Sequence, residues 1–229
     1  MHSVVILDLD GTVLDVNSFR HWVVHMVRAR YPHLGPGRRL GLALRAGGAL
    51  AARKAGFIDH ERLKRSLQAL WKQATEGDGG RSAQTLNRRL FHHVRPEFTR
   101  LLSAVAEGRV DAVLATAAVD EYARGLGRML GVRHVLATGP DRAPHMPSNV
   151  GPHKRDAVLN FLDRQGWLDR PRVLFTDHED DLPLIEVCGT VHWFGTERSL
   201  GGLAGRFPDT VLHRGLSSAP RPFLHLPIG

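Results

Sequence analysis

Two pairs of aspartates carry the strongest chemical signal in the chain. Asp8 and Asp10 follow the apolar run Val4-Val5-Ile6-Leu7, and Asp177 and Asp181 follow Val173-Leu174-Phe175-Thr176 in the stretch Asp177-His178-Glu179-Asp180-Asp181. Short β-branched runs of this kind read as strands buried on both faces of a parallel sheet. Side chains just past the C-terminal ends of such strands point into the crevice where α/β proteins bind ligands, and parallel strands bring both acidic groups to one edge. Carboxylates crowded together repel unless a cation or a proton intervenes, and an all-oxygen set suits a hard ion such as Mg2+. Thr116, after Val113-Leu114-Ala115, and Lys154, opening a helical stretch, add a hydroxyl and an ammonium, both ligands for phosphate.

The elements that must hold these residues follow from periodicity. Strands are expected at 4–7, 110–114, 135–137, 173–175 and 191–193, each followed by a helical stretch, which implies an α/β fold with a Rossmann-like parallel sheet flanked by helices. About a hundred residues separate the first two strands, far more than a crossover needs, and most read as helix. The first expected helix carries Phe19, Trp22, Val23, Met26 and Val27, takes Ser18 as its N-cap and stops before Tyr31-Pro32. A second spans 38–54, a third places Leu63, Leu67, Leu70, Trp71 and Ala74 on one face after Asp59, and the turn at 77–80 precedes a fourth with Leu86, Leu90 and Phe91. The expected division is a core of residues 1–16 and 94–229 and an inserted all-α unit of 17–93. Pro96 suits the start of the helix that returns to the core and Gly108 its C-terminal cap, while four prolines between Thr138 and His153 mark an irregular loop.

At 229 residues, 42% hydrophobic and 24% charged, the chain has the make-up of a folded protein with one substantial core. Its formal charge of +8 admits an anionic partner, yet 27 of the 31 cationic residues are Arg, a skew that GC-rich coding also produces, and the basic pairs are scattered. Nucleic acid is therefore a secondary expectation. No apolar run reaches membrane-spanning length, since Arg45 breaks the segment 40–52, and no secretory leader is recognisable, so the expected location is cytoplasmic and no membrane partner is expected. A single cysteine, Cys188, forms no internal disulfide. The His21/His25 pair lacks the glutamate of a zinc protease motif, His92-His93 lacks a third ligand, and the glycines at 125, 127 and 131 miss dinucleotide spacing and read as packing and capping positions.

Taken together, these residues resemble the haloacid dehalogenase superfamily, in its branch of helical-capped, phosphoserine-phosphatase-like enzymes. Asp8-Leu9-Asp10-Gly11-Thr12-Val13 matches the first motif, Leu114-Ala115-Thr116 the second, Lys154 the third, and Asp177 with Asp181 the fourth, so the likeness spans Val4 to about Trp193. The resemblance implies that Asp8 is a nucleophile forming an aspartyl-phosphate and Asp10 the acid and then base. It implies Mg2+ held by Asp8, the Asp10 carbonyl and Asp177 with Asp181 orienting the shell, and Thr116 and Lys154 binding phosphoryl oxygens. The inserted unit becomes a cap, with Phe19, Arg20 and His21, together with Thr12 and Ala117, as candidate substrate contacts for a small phosphorylated metabolite. The branch also places an acidic residue just inside the cap, where this chain has Val16-Asn17-Ser18-Phe19-Arg20, and a glycine pair where it has Ala117-Ala118. A phosphomutase or phosphotransferase of the same fold, and a nucleic-acid-binding protein or nucleic-acid-end phosphatase, are the alternatives. Nothing in the sequence sets the oligomeric state.

Overall fold

The computed structural model describes residues 2–29, 31, 33–139 and 148–215. Six strands form one sheet, all parallel: β1 (Val4–Leu7), β2 (Asp111–Val119), β3 (His134–Thr138), β4 (Arg172–Thr176), β5 (Thr190–Trp193) and β6 (Val211–Arg214), in the order β3-β2-β1-β4-β5-β6. The central place of β1 follows from its composition. Val4, Val5, Ile6 and Leu7 are all fully buried, and alternate side chains feed the two faces of the sheet. Val5 and Leu7 join one apolar cluster, and Val4 and Ile6 join the other.

Among the described residues, four α-helices follow β1 before the chain returns to the core at Pro96: α1 (Ser18–Arg28), α2 (Pro36–Lys54), α3 (His60–Thr75) and α4 (Arg81–Phe91). Their apolar faces are not sealed off from the sheet. Trp22, Met26, Leu67, Leu86 and Leu90 share one cluster with Val5 and Leu7 and with Leu101 and Leu126 of α5 (Thr99–Ala106) and α6 (Asp120–Met129). The second face is covered by α7 (Gly151–Arg164), α8 (Leu182–Ile185) and α9 (Glu197–Arg206), through Val158, Leu162, Ile185 and Leu203. Trp22 and Trp71, expected inside the insertion, are both buried with ring centroids 5.9 Å apart. Gly125 and Gly127 are packing positions, since a Cβ would strike Asn87 of α4 and Val135 of β3, and Gly131 ends its helix with positive φ.

Three expectations change. The second strand runs on past Leu114 to Val119, with a register shift against β3 between Ala115 and Val119, so Thr116 lies within a strand rather than after one. The N-cap of α1 is Asn17, whose side chain accepts from the Arg20 amide at 3.2 Å, while Ser18 is turned inward. The sixth strand carried no sequence signal because it is an edge, with Val211 more than half exposed. The helix expected at 38–54 starts two residues earlier at Pro36, Pro96 opens a 3-10 turn that leads into α5, Asp59 caps α3 through the Arg62 amide, and Pro152 sits in the first turn of α7. The prolines at 140, 144 and 147 and the tail after Gly215 lie outside the described residues. Among the described residues no helix is long and apolar enough to cross a membrane.

His192 of β5 is buried, stacked on Phe175 at 4.4 Å and followed by His213 at 4.8 Å. Burial pushes its pKa down to about 4, so between about pH 6.5 and 4 the unfolded chain binds a proton that the folded chain does not. Stability should therefore fall as pH drops through this window, by on the order of 3 kcal/mol from this residue. Urea midpoints measured from pH 7 to 4 should flatten in His192→Phe; an unchanged slope would show that other groups set the acid sensitivity.

Candidate active site

Adjacent strands set the site. Leu7 pairs with Leu114 on one side and Phe175 on the other, and the Asp8 amide donates to the Phe175 carbonyl at 2.9 Å, so Asp8, Asp177 and Thr116 emerge at neighbouring strand positions. From the first turn of α7, Lys154 reaches between two carboxylates, donating to Asp8 Oδ1 at 2.7 Å and to Asp181 Oδ2 at 2.8 Å. Its side chain is only 3% exposed. Thr176 donates its hydroxyl to the same Asp181 oxygen at 2.6 Å. Burial pushes the Asp8 carboxyl up to about 7, against the pull of Lys154. The ammonium itself, despite its burial, is held above the ordinary lysine range by Asp181 and Asp8.

Asp10 is tied differently. Its Oδ1 accepts from the Ser18 amide at 2.8 Å, and Ser18 Oγ shares a 2.7 Å hydrogen bond with the fully buried Tyr122 hydroxyl on α6. Burial raises the Asp10 pKa and the Ser18 hydrogen bonds oppose it. Thr12 is also fully buried, with its hydroxyl 3.5 Å from Asp8 Oδ2 and 3.4 Å from Asp177 Oδ1. Gly11 has φ 73°, and any Cβ there would run into the Asp177 carboxylate, so glycine is required for both conformation and space. Arg95 donates to the Gly11 carbonyl at 3.1 Å and steadies the loop from below.

These groups border a cavity of about 400 Å³ lined by Asp8, Asp10, Thr116, Lys154, Asp177 and Asp181, with Ala117, Val150 and the Asp15-Val16-Asn17 segment at its edge. Thr116 Oγ1 accepts from the Ala118 amide at 3.0 Å, which leaves the hydroxyl proton to donate into the cavity. Asn149 fixes the strand below by donating to the Thr116 and Leu136 carbonyls. Lys64 of α3 donates to the Ala117 carbonyl at 3.1 Å and to Ser148 Oγ at 2.6 Å, and Gln68 reaches Glu121 and the Thr138 carbonyl.

The candidate substrate contacts need correction. Among Phe19, Arg20, His21, Thr12 and Ala117, only Ala117 lines the cavity. Phe19 packs on Trp22 and His60, and His21 meets His93 edge to face, because α1 begins at Ser18 and turns these side chains along the insertion. Arg20 is exposed. Thr12 sits beneath the carboxylates as a support. Asp15, which the sequence reading passed over, lines the cavity, with His93 Nδ1 3.2 Å from its carboxylate. Ser18, expected as a helix cap, supports Asp10 instead, and the roles of Tyr122, Asn149, Thr176 and Lys64 have no local pattern, since their partners lie on other elements.

A divalent cation fits the donor set. Burial raises the pKa of Asp8, Asp10 and Asp177 alike, and Lys154 is the one lysine or arginine lining the cavity among the described residues. Asp8 and Asp177 share the Thr12 hydroxyl, so their oxygens approach one another, as a hard oxygen-seeking ion requires. Of the four aspartates expected around the metal, Asp10 turns its carboxylate to Ser18 and Asp181 is engaged by Lys154 and Thr176, which leaves the Asp8 and Asp177 carboxylates with the Asp10 carbonyl as the ligand set. Among the described residues no three acidic, histidine or cysteine side chains form a ready-made cage, and two carboxylates with a carbonyl need no third.

Removing the buried lysine leaves two carboxylates in a dry site without their counter-charge. Lys154→Met should lower stability by about 3 kcal/mol at neutral pH in urea denaturation, and the added change Asp181→Asn should restore part of it. An unaltered midpoint in the single variant would mean that the Asp8–Lys154–Asp181 cluster contributes no cohesion.

Comparison with known proteins agrees with this geometry. Residues 5–186 match the family model for haloacid dehalogenase-like hydrolases. By fold, the chain is similar to a Bordetella pertussis protein of unknown function, with a TM-score of 0.71 at 16% identity over 93% of this chain and 99% of that one. It is similar to a probable phosphoserine phosphatase from Vibrio cholerae, with a TM-score of 0.59 at 12% identity over 93% of this chain and 60% of that one. A phosphoserine phosphohydrolase-like protein from Francisella tularensis gives 0.52 at 11% identity, over 94% and 96% of the two chains. Compared by sequence with curated proteins, the chain finds no match. With the family model covering β1 to β4, the helical insertion and all four groups of site residues, the chain belongs to the haloacid dehalogenase-like hydrolases.

Proposed function

We propose that this protein is a Mg2+-dependent phosphohydrolase that cleaves a small phosphate monoester through an aspartyl-phosphate on Asp8. The observation that carries the reading is the buried Asp8 carboxylate, held through one oxygen by Lys154 in a cavity that also presents Asp10, Asp177 and Thr116. Lys154 fixes the carboxylate so that its second oxygen, with only a long contact to Thr12, faces the bound phosphorus for in-line attack. Asp10, held through one oxygen by Ser18, keeps the other to give a proton to the leaving alkoxide and later to take one from water. Its raised pKa favours the protonated start. The Lys154 ammonium and the Thr116 hydroxyl bind phosphoryl oxygens as their charge redistributes. Asp8, Asp177 and the Asp10 carbonyl would hold the Mg2+, which when bound neutralises charge between the carboxylates and the phosphoryl group. Residues 17–93 would then act as the cap, seated on the core through Lys64 and Gln68.

The rim bears on substrate choice. Asp15 and Asp180 add negative charge, with His93 and His178 beside them, and no arginine lines the cavity among the described residues. A monoester whose remainder is neutral or cationic suits this rim better than a second phosphate or a polyanion. That balance weighs against the phosphomutase and nucleic-acid readings.

Phosphate release from p-nitrophenyl phosphate and a panel of small monoesters should require Mg2+, stop with EDTA, and fall roughly a thousandfold or more in Asp8→Asn. Release that survives in the variant or in EDTA would overturn the reading. Within the panel, monophosphates should exceed the matching bisphosphates by roughly tenfold or more in kcat/KM, and the reverse order would point to an anion subsite. Ser18→Ala keeps the amide that donates to Asp10 but removes the hydroxyl that also favours its carboxylate form, so it should lower kcat by roughly tenfold with KM little changed and move the pH-rate limb of Asp10 upward. A lower kcat on an unmoved pH profile would assign Ser18 a packing role only.

A further inference from the structure

We propose that α2 is a membrane-surface docking helix whose outward face lies against an anionic lipid bilayer. Only Leu42 and Ala46 of this helix are buried, and the opposite face is open. Leu40 is 62% exposed and Leu44 67%, one turn apart, and at helical spacing they share a strip with Gly47, Gly48 and Ala51 that carries no charge. Phe57, in the turn that follows, is 80% exposed. A Cβ added to Gly47 or Gly48 would meet nothing within 4 Å, so no described residue of the chain packs on this strip. Glycine weakens a helix, and here no internal close approach repays that cost. An external surface on which the helix lies flat does.

Charge selects the occupant. Every charged residue of α2 is cationic: Arg38, Arg39, Arg45, Arg53 and Lys54. Lys54 falls at one border of the uncharged strip, where its long side chain can extend to headgroup phosphates, and Arg45 falls at the other, exposed, with its guanidinium donating to the Gln73 side chain of α3 at 3.0 Å. The nearest acidic residue in sequence, Asp59, is engaged in capping α3 and in a contact with Arg62. A second copy of the chain would set like charges against like, whereas an anionic bilayer meets both the apolar strip and its basic borders. The helix is interrupted by charge and does not span, so the contact is interfacial.

The test is co-sedimentation of the purified chain with vesicles of phosphatidylcholine alone or mixed with phosphatidylglycerol. Wild type should pellet with the mixed vesicles about tenfold more than with phosphatidylcholine, and high salt should release it. Leu40→Ser/Leu44→Ser should lose that binding while keeping its circular-dichroism melt and its phosphate release. A second variant, Arg38→Gln/Arg45→Gln/Lys54→Gln, should lose it with the apolar strip intact. Wild type left in the supernatant would overturn the proposal, as would pelleting unchanged in both variants. Light scattering that shows a dimer split by the leucine changes would replace the bilayer with a second copy.

Discussion

One buried cation organises the catalytic end of this molecule. Lys154 is buried between Asp8 and Asp181, and such a cluster persists only if each charge has its partner and each remaining oxygen its hydrogen bond. Thr176 meets the last demand on Asp181, and Thr12 approaches the free oxygen of Asp8. The requirement explains the topology around it: β1 and β4 must be neighbours, the turn after β4 must return Asp181 to the strand ends, and the first turn of α7 must point across them. The lysine leaves the site still rich in carboxylates. Asp8, Asp10 and Asp177 all sit above their usual range through burial, which is the electrostatic setting a divalent cation relieves.

The helical insertion is bound into this arrangement at both of its edges. At its start, Ser18 gives its amide to Asp10 and shares a hydroxyl hydrogen bond with Tyr122, so the first turn of α1 is tied to the Asp10 carboxylate and to α6. Across the cavity, Lys64 holds the Ala117 carbonyl beside Thr116. Apolar contacts reinforce both links, since Trp22 faces Tyr122 at 6.2 Å and joins the same cluster as the sheet.

What the sequence made legible is the part encoded locally. Val4 to Asp10 declares a buried strand ending in carboxylates, Asp59 declares a cap, and the spacing of Leu63, Leu67, Leu70 and Trp71 declares a helix face; each needs only its near neighbours to be understood. The residues that escaped are those whose meaning lies in a distant partner. Ser18 has the composition of an N-cap and took another role because Asp10 and Tyr122 stand beside it, leaving the cap to Asn17. Phe19, Arg20 and His21 follow the first motif closely in sequence, yet the helix rotates them away from the cavity and leaves Asp15, Val16 and Asn17 at its edge. The extension of β2 beyond Thr116 is set by pairing with β3, which Ala-Thr-Ala-Ala does not announce.

The central claim is that Asp8 itself carries the phosphoryl group. Acid quenching of the enzyme during turnover of p-nitrophenyl phosphate with Mg2+, followed by peptide mass spectrometry, reads this directly. The mass increment of one phosphoryl group is expected on Asp8 in the N-terminal peptide, and none in Asp8→Asn. A phosphoryl group found on another residue, or turnover with none on the protein under conditions that trap acyl phosphates, would contradict it.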